Sequence, residues 1–151
     1  MIHYIQFKAT AHATEDLSGV LKALDFFLYP CLRIPDENEI LKLHNIVSAN
    51  GHFGNPISLI SAKIENKGNS SRFVNFFNEN ISDEDRQILR SEMPDRLDDD
   101  LNFYMRFDKQ EAFAGRLKLT DGDDAVFVKI KIETYPKSWE NAGLIVEELF
   151  G

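Results

Sequence analysis

Basic and aromatic side chains recur at alternate positions along several segments of this chain, and alternate positions of a strand point to the same side of a sheet. Tyr4 and Lys8 share one phase of the first such segment. Lys42 and His44, Lys63, Tyr104 and Arg106, Arg116 and Lys118, and Phe127, Lys129 and Lys131 take the corresponding phase in later ones. The acids expected among them are few, Glu65 and Glu133. Lysine and arginine neutralise phosphate, and exposed aromatic rings stack on unpaired bases. A basic sheet face with interleaved aromatics is what single-stranded or irregular RNA requires. The same pattern has a plainer purpose, because outward strand positions must be soluble and lysines discourage edge pairing. Exposed Ile46, Leu59 and Phe127 also suit a dimer contact across the sheet. From the residues alone these readings stay open.

The second candidate is Gly51-His52-Phe53-Gly54-Asn55-Pro56-Ile57, set between two apolar runs. Both glycines tolerate positive φ, and Pro56 fixes its own φ while pushing Asn55 toward extended backbone. The chain must turn sharply there, with His52 and Phe53 at the tip and peptide N–H groups able to form a small anion-binding concavity. Such a turn either contacts a ligand or only connects a hairpin.

Catalytic patterns are missing. His3, His12, His44 and His52 have no metal-binding spacing, and no Walker loop, dinucleotide fingerprint or nucleophile elbow occurs. Asp98-Asp99-Asp100 is the one run suited to a divalent cation, as in a metal-dependent nuclease, but adjacent carboxylates in a polar loop are usually solvated. No catalytic residue, metal or cofactor is expected.

Length and composition suit one domain over residues 1–151, with 43% hydrophobic and 28% charged residues. No apolar run is long enough to cross a bilayer, the start lacks a secretory pattern, and Cys31 has no disulfide partner, so a cytoplasmic location is expected. Cys31 itself reads as a small buried apolar residue. The net charge of −8 is uneven: residues 82–100 hold eight acids and three bases, leaving −3 for the remainder. The acidity is therefore mainly local and has room to sit far from a basic surface.

Residues 2–13 alternate, with Ile5, Phe7, Ala9 and Ala11 inward, and predict a half-buried strand. Thr14 is the expected cap of a helix carrying Leu17, Val20, Leu21, Leu24, Phe27 and Leu28. Residues 40–49 predict a second strand with Leu41, Leu43, Val47 and Ala49 inward, and residues 57–65 a third with Ile60, Ala62 and Ile64 inward. Ser70 or Ser71 would cap a helix through Phe73, Phe76 and Phe77, and Ser82 another that ends at Pro94. Strands at 102–107, 116–119 and 125–134 follow, then a helix after Ser138 with Trp139, Ala142, Val146, Leu149 and Phe150 on its apolar face. One clean apolar face per strand predicts an α+β fold, an antiparallel sheet of about six strands covered by helices on one face.

His12-Ala13-Thr14-Glu15-Asp16, the glycine-histidine turn, and Phe107-Asp108-Lys109-Gln110 with Ala112 and Gly115 occur in this order. In that respect the chain resembles an archaeal family of small RNA-binding proteins described as exosome-associated, over nearly its whole length. The resemblance implies an α+β fold compared with double-stranded RNA-binding domains and with an RNA-binding protein of the large ribosomal subunit. It also implies a role in RNA processing or degradation, and no catalytic residue. The expected function is thus a non-catalytic RNA-binding accessory, with Lys8, Arg106, Lys109, Arg116, Lys118, Lys129 and Lys131 neutralising phosphate and His52 and Phe53 touching RNA. Exosome or other RNA-processing proteins are the expected partners. The alternative is a protein-interaction module that forms a homodimer through the open sheet face.

Overall fold

The computed structural model describes residues 1–51 and 54–150. In chain order its elements are β1 (Ile2–Ala11), α1 (Leu17–Leu28), α2 (Glu37–Leu43), β2 (Asn45–Asn50), β3 (Pro56–Ile64), α3 (Lys67–Asn80), α4 (Asp83–Ser91), α5 (Met93–Arg96), β4 (Asn102–Asp108), α6 (Lys109–Phe113), β5 (Ala125–Ile132) and α7 (Trp139–Leu149). The strands form one antiparallel sheet in the order β2-β3-β1-β5-β4. The fold is α+β, with five strands among the described residues where about six were expected. Residues 116–119 approach β4 only through a single bridge from Leu119 to Phe107.

The alternation of β1 puts Ile5, Phe7, Ala9 and Ala11 inward, where all four are buried. Being central, β1 pairs with β3 and β5, so its inward face meets helices across the middle of the sheet. Phe7 lies 5.9 Å from Phe27 of α1 and 5.4 Å from Phe73 of α3, centroid to centroid. The cluster continues to Phe107 of β4, 5.6 Å from Phe27, and to Phe150, 5.6 Å from Phe103 and 5.8 Å from Phe77. Burying each such ring is worth about 1.5–3 kcal/mol, enough to fix which sheet face the helices cover. Among the described residues, the opposite face has no helix over its centre and carries the outward residues of β1, β3, β4 and β5.

Several local expectations need correction. Residues 40–49 are not one strand: Asp36 caps α2 by accepting from the Asn38 N–H at 3.1 Å, with Glu37 and Glu39 in the first turn and Lys42 in the last. Helical geometry turns Ile40 into the core and leaves Leu41 62% exposed. The strand starts only at Asn45, and its register opposes Val47 to Leu59 and Ile46 to Ile60. Since Ile60 is buried and Leu59 exposed, Val47 belongs to the open face and Ile46 to the helix-covered side. Lys42 is consequently off the sheet. His44 also leaves the open face: its side chain is 5% exposed, with Nε2 2.6 Å from Asp25 Oδ1.

The caps shift as well. Asp16, not Thr14, caps α1 through the Ser18 N–H at 3.1 Å. Asn66 caps α3 through the N–H groups of Gly68 and Asn69, which leaves Ser70 inside the helix. Ser82 caps α4 as expected, and Pro94 lies in the first turn of α5. Cys31 is buried, and burial pushes its thiol up to about 12, a value that removes it from thiolate chemistry.

Candidate nucleic-acid interface

Strand register sets the open face in rows. Asn45, Ser61, Lys8, Phe127 and Arg106 align across β2, β3, β1, β5 and β4. The next row is Lys63, Gln6, Lys129 and Tyr104, followed by Tyr4, Lys131 and Asn102. On the other side lie Val47, Leu59 and Thr10. Small Ser61 and Thr10 stand among bulkier neighbours on a twisted sheet, and the face is a cleft of about 670 Å³ rather than a plane.

Side chains on this face hold one another. The ammonium groups of Lys63 and Lys129 lie 4.2 and 5.5 Å from the centroid of the Tyr4 ring. The Arg106 guanidinium lies 5.0 Å over Phe127. Cation–π contacts of this kind orient a cation without cancelling its charge. Carboxylates do cancel it in part elsewhere: Asp123 is 3.1 Å from Arg106, and Glu65 is 3.2 Å from Lys63. Lys131 donates to the carbonyl of Asp100. Among the described residues, Lys8 and Lys129 have no carboxylate within ion-pair distance, and they stand on the adjacent central strands β1 and β5.

The local acidity has room to lie far from this surface, but the end of the acidic stretch borders it. The Asp98 carboxylate accepts from the Tyr104 hydroxyl at 3.0 Å and from both the N–H and side-chain amide of Asn102. Burial pushes the Asp98 carboxyl up, but these bonds and one from the Asp100 N–H outweigh it and hold the group below its ordinary value. Asp98 is thus occupied in shaping the loop before β4. The cause lies in the chain order: residues 98–100 end one residue before β4 and residues 121–124 directly precede β5, so both acidic turns border the sheet where those strands start.

The sequence-selected residues separate into groups. Lys8, Arg106, Lys129 and Lys131 share the open face. Lys118 is exposed but lies beside β4, where its carbonyl accepts from the Asp108 N–H at 2.8 Å. Arg116 is off the sheet and is paired with Glu111, which raises the guanidinium and holds the Glu111 carboxyl low. His52 and Phe53 lie outside the described residues. The turn that frames them is closed by Gly54 N–H to Gly51 carbonyl at 2.9 Å, with Gly54 at φ 79°, a conformation that favours glycine.

Lys109 requires a correction. Its side chain is 3% exposed, and its ammonium donates to the Thr10 carbonyl at 2.9 Å while pairing with Glu15 at 2.9 Å and Asp124 at 2.7 Å. A group with its three donors engaged inside the protein is not presented to phosphate. Burial pulls the Lys109 ammonium down, yet the bonds to Asp124 and Glu15 more than offset this and raise it; the same bond from Lys109 depresses Asp124. Lys109 therefore joins the end of β1, the loop before α1 and the turn before β5. Asp108 adds to the junction by capping α6 through the Glu111 N–H at 2.9 Å.

Comparison with known proteins places these features in context. A family model described as RNA binding matches residues 4–132, most of the chain. RNA-binding protein PAB1135 of Pyrococcus abyssi is 34% identical over 146 residues, covering 97% of this chain and 92% of that protein. An uncharacterised protein of Methanocaldococcus jannaschii is also 34% identical, over 144 residues, covering 93% of this chain and 91% of its own. A solved structure, protein AF2318 from Archaeglobus fulgidus, superposes with a TM-score of 0.83 at 28% identity and covers 99% of both chains.

Proposed function

The chain belongs to this RNA-binding family, and we propose that it holds RNA on the open face of its sheet. The observation that carries the reading is the pair Lys8 and Lys129, outward on the two central strands and without a carboxylate partner among the described residues. Phosphate contacts supply most of the sequence-independent affinity for nucleic acid, and cations already cancelled by carboxylates contribute less. Arg106 and Lys131 extend the positive strip, while the acids at both ends of β4 bound it. Binding is consequently modest and salt-sensitive.

In the fuller reading the protein is a non-catalytic accessory of RNA processing or exosome-mediated degradation in the cytoplasm. The resemblance carried by residues 12–16, 51–57 and 107–110 supports it. Of the run Asp98-Asp99-Asp100, the candidate for cation binding, Asp98 is engaged instead by hydrogen bonds from Asp100, Asn102 and Tyr104. A second reading, closure of the open face by another copy of the chain, is favoured by one observation: Val47 and Leu59 stand side by side at the sheet edge, 50% and 43% exposed.

Amide and methyl NMR during titration with a short RNA tests the proposal. Shifts confined to outward positions of β1, β4 and β5 are expected; shifts confined to α1, α2 and α6 on the covered side would refute it.

A further inference from the structure

We propose that the cleft on the open face seats an unpaired nucleobase, so that the RNA recognised is single-stranded at that point rather than a continuous duplex. This rests on the reading that RNA occupies the open face. The first support is the lining: Val47, Leu59 and Phe127 give the cleft apolar walls, with Gln6 and Ser61 as polar groups among them. Phosphate and ribose gain little from apolar walls. A base gains from them directly, and polar neighbours can meet its edge. The volume, about 670 Å³, lies within the roughly 300–1,000 Å³ typical of sites for small molecules.

The second support is the cation–π contact already present. The Arg106 guanidinium lies 5.0 Å over Phe127 in the same cleft, and a guanidinium plane is a stacking platform for a splayed base. The third is where charge of each sign falls. Lys8 and Lys129 stand on β1 and β5 without a carboxylate partner among the described residues, whereas Asp98 reaches Tyr104 and Asp123 reaches Arg106, both on β4. An extended strand can run its phosphates over the lysines and direct a base into the cleft beside Phe127, away from its own charge. A duplex has phosphates along both of its edges and keeps its bases stacked inside, so it would set phosphates against the β4 acids and leave the apolar cleft empty.

The test compares three fluorescent probes by anisotropy at fixed moderate salt: a single-stranded RNA 12-mer of mixed sequence, the same strand in a perfect duplex, and a strand with abasic sites at its centre. The single strand is expected to bind about 10-fold or more tighter than the duplex and several-fold tighter than the abasic strand. Phe127→Leu, which keeps an apolar side chain, should collapse the ratio of intact to abasic binding. Leu59→Ser provides an independent variant at an exposed position should Phe127→Leu disturb folding. Equal binding of the single strand and the duplex, or of the intact and abasic strands, would overturn the base seat while leaving RNA on the open face. If all three probes bind as well after Lys8→Glu with Lys129→Glu, or none binds the parent, the underlying reading falls too. A dimer in sedimentation that Leu59→Glu dissociates would also overturn it.

Discussion

Lys109→Met removes the ammonium at the junction of β1, α6 and the turn before β5 while keeping an unbranched apolar side chain in the same space. The lost interactions are the hydrogen bond to the Thr10 carbonyl and the pairs with Glu15 and Asp124. A hydrogen bond to a charged group contributes about 1.5–3 kcal/mol, and breaking a wholly buried ion pair costs about 3–5 kcal/mol. Here Glu15 and Asp124 reach solvent and can rehydrate, so the losses are less than additive. We expect about 2–4 kcal/mol, a fall in Tm of roughly 5–15 °C for a chain of this size. Urea denaturation followed by circular dichroism measures it. A loss below about 0.5 kcal/mol, with RNA affinity falling instead, would refute the assignment of Lys109 to architecture and return it to phosphate binding.

Two further outcomes follow from the charges. Asp124 and Asp98 are held below their ordinary values, so their contribution is present above the unfolded carboxylate pKa of about 3.9 and disappears as pH falls through the folded values. Lys109 is raised, so its contribution persists below about pH 10.4 and is lost as pH rises through its folded value. Thermal melts from pH 2.5 to 11 should show both arms, and Lys109→Met should flatten the alkaline arm and weaken the acid one; unchanged arms would contradict the linkage. Asp123→Asn removes the carboxylate 3.1 Å from Arg106 and should raise RNA affinity about 2- to 5-fold at low salt, the gain vanishing near 1 M. Weaker binding by this variant would show that Asp123 orients Arg106 rather than screening it.

Clean alternation made β1, β3, β4 and β5 readable from their residues, because each has one face against helices and one without. The same reasoning failed for residues 40–49. A short apolar run fits helical and strand periods equally, and the deciding feature was the Asp36 cap with acids in the first turn and Lys42 in the last. That slip moved Val47 from the core to the open face and hid His44 against Asp25. The site was half legible. Alternation placed Lys8, Arg106, Lys129 and Lys131 together, but which charges stay uncancelled depends on tertiary neighbours. Lys109 meets Glu15, 94 residues away, and no local pattern encodes that distance. This contact also brings together two of the three segments that carry the family resemblance, residues 12–16 and 107–110, and gives them one shared structural task.

The central claim is that uncancelled lysines on the middle strands hold RNA, and the salt dependence of binding by Lys8→Glu with Lys129→Glu tests it most directly. Loss of two phosphate contacts to a single strand should lower the slope of log K against log salt by about 1.4 and weaken binding at least 10-fold at moderate salt. Both positions are outward, Lys8 exposed and Lys129 half-buried beside Tyr4, so the two substitutions together should cost no more than about 1–2 kcal/mol and leave the protein folded. An unchanged affinity and slope in a folded double variant would contradict the account.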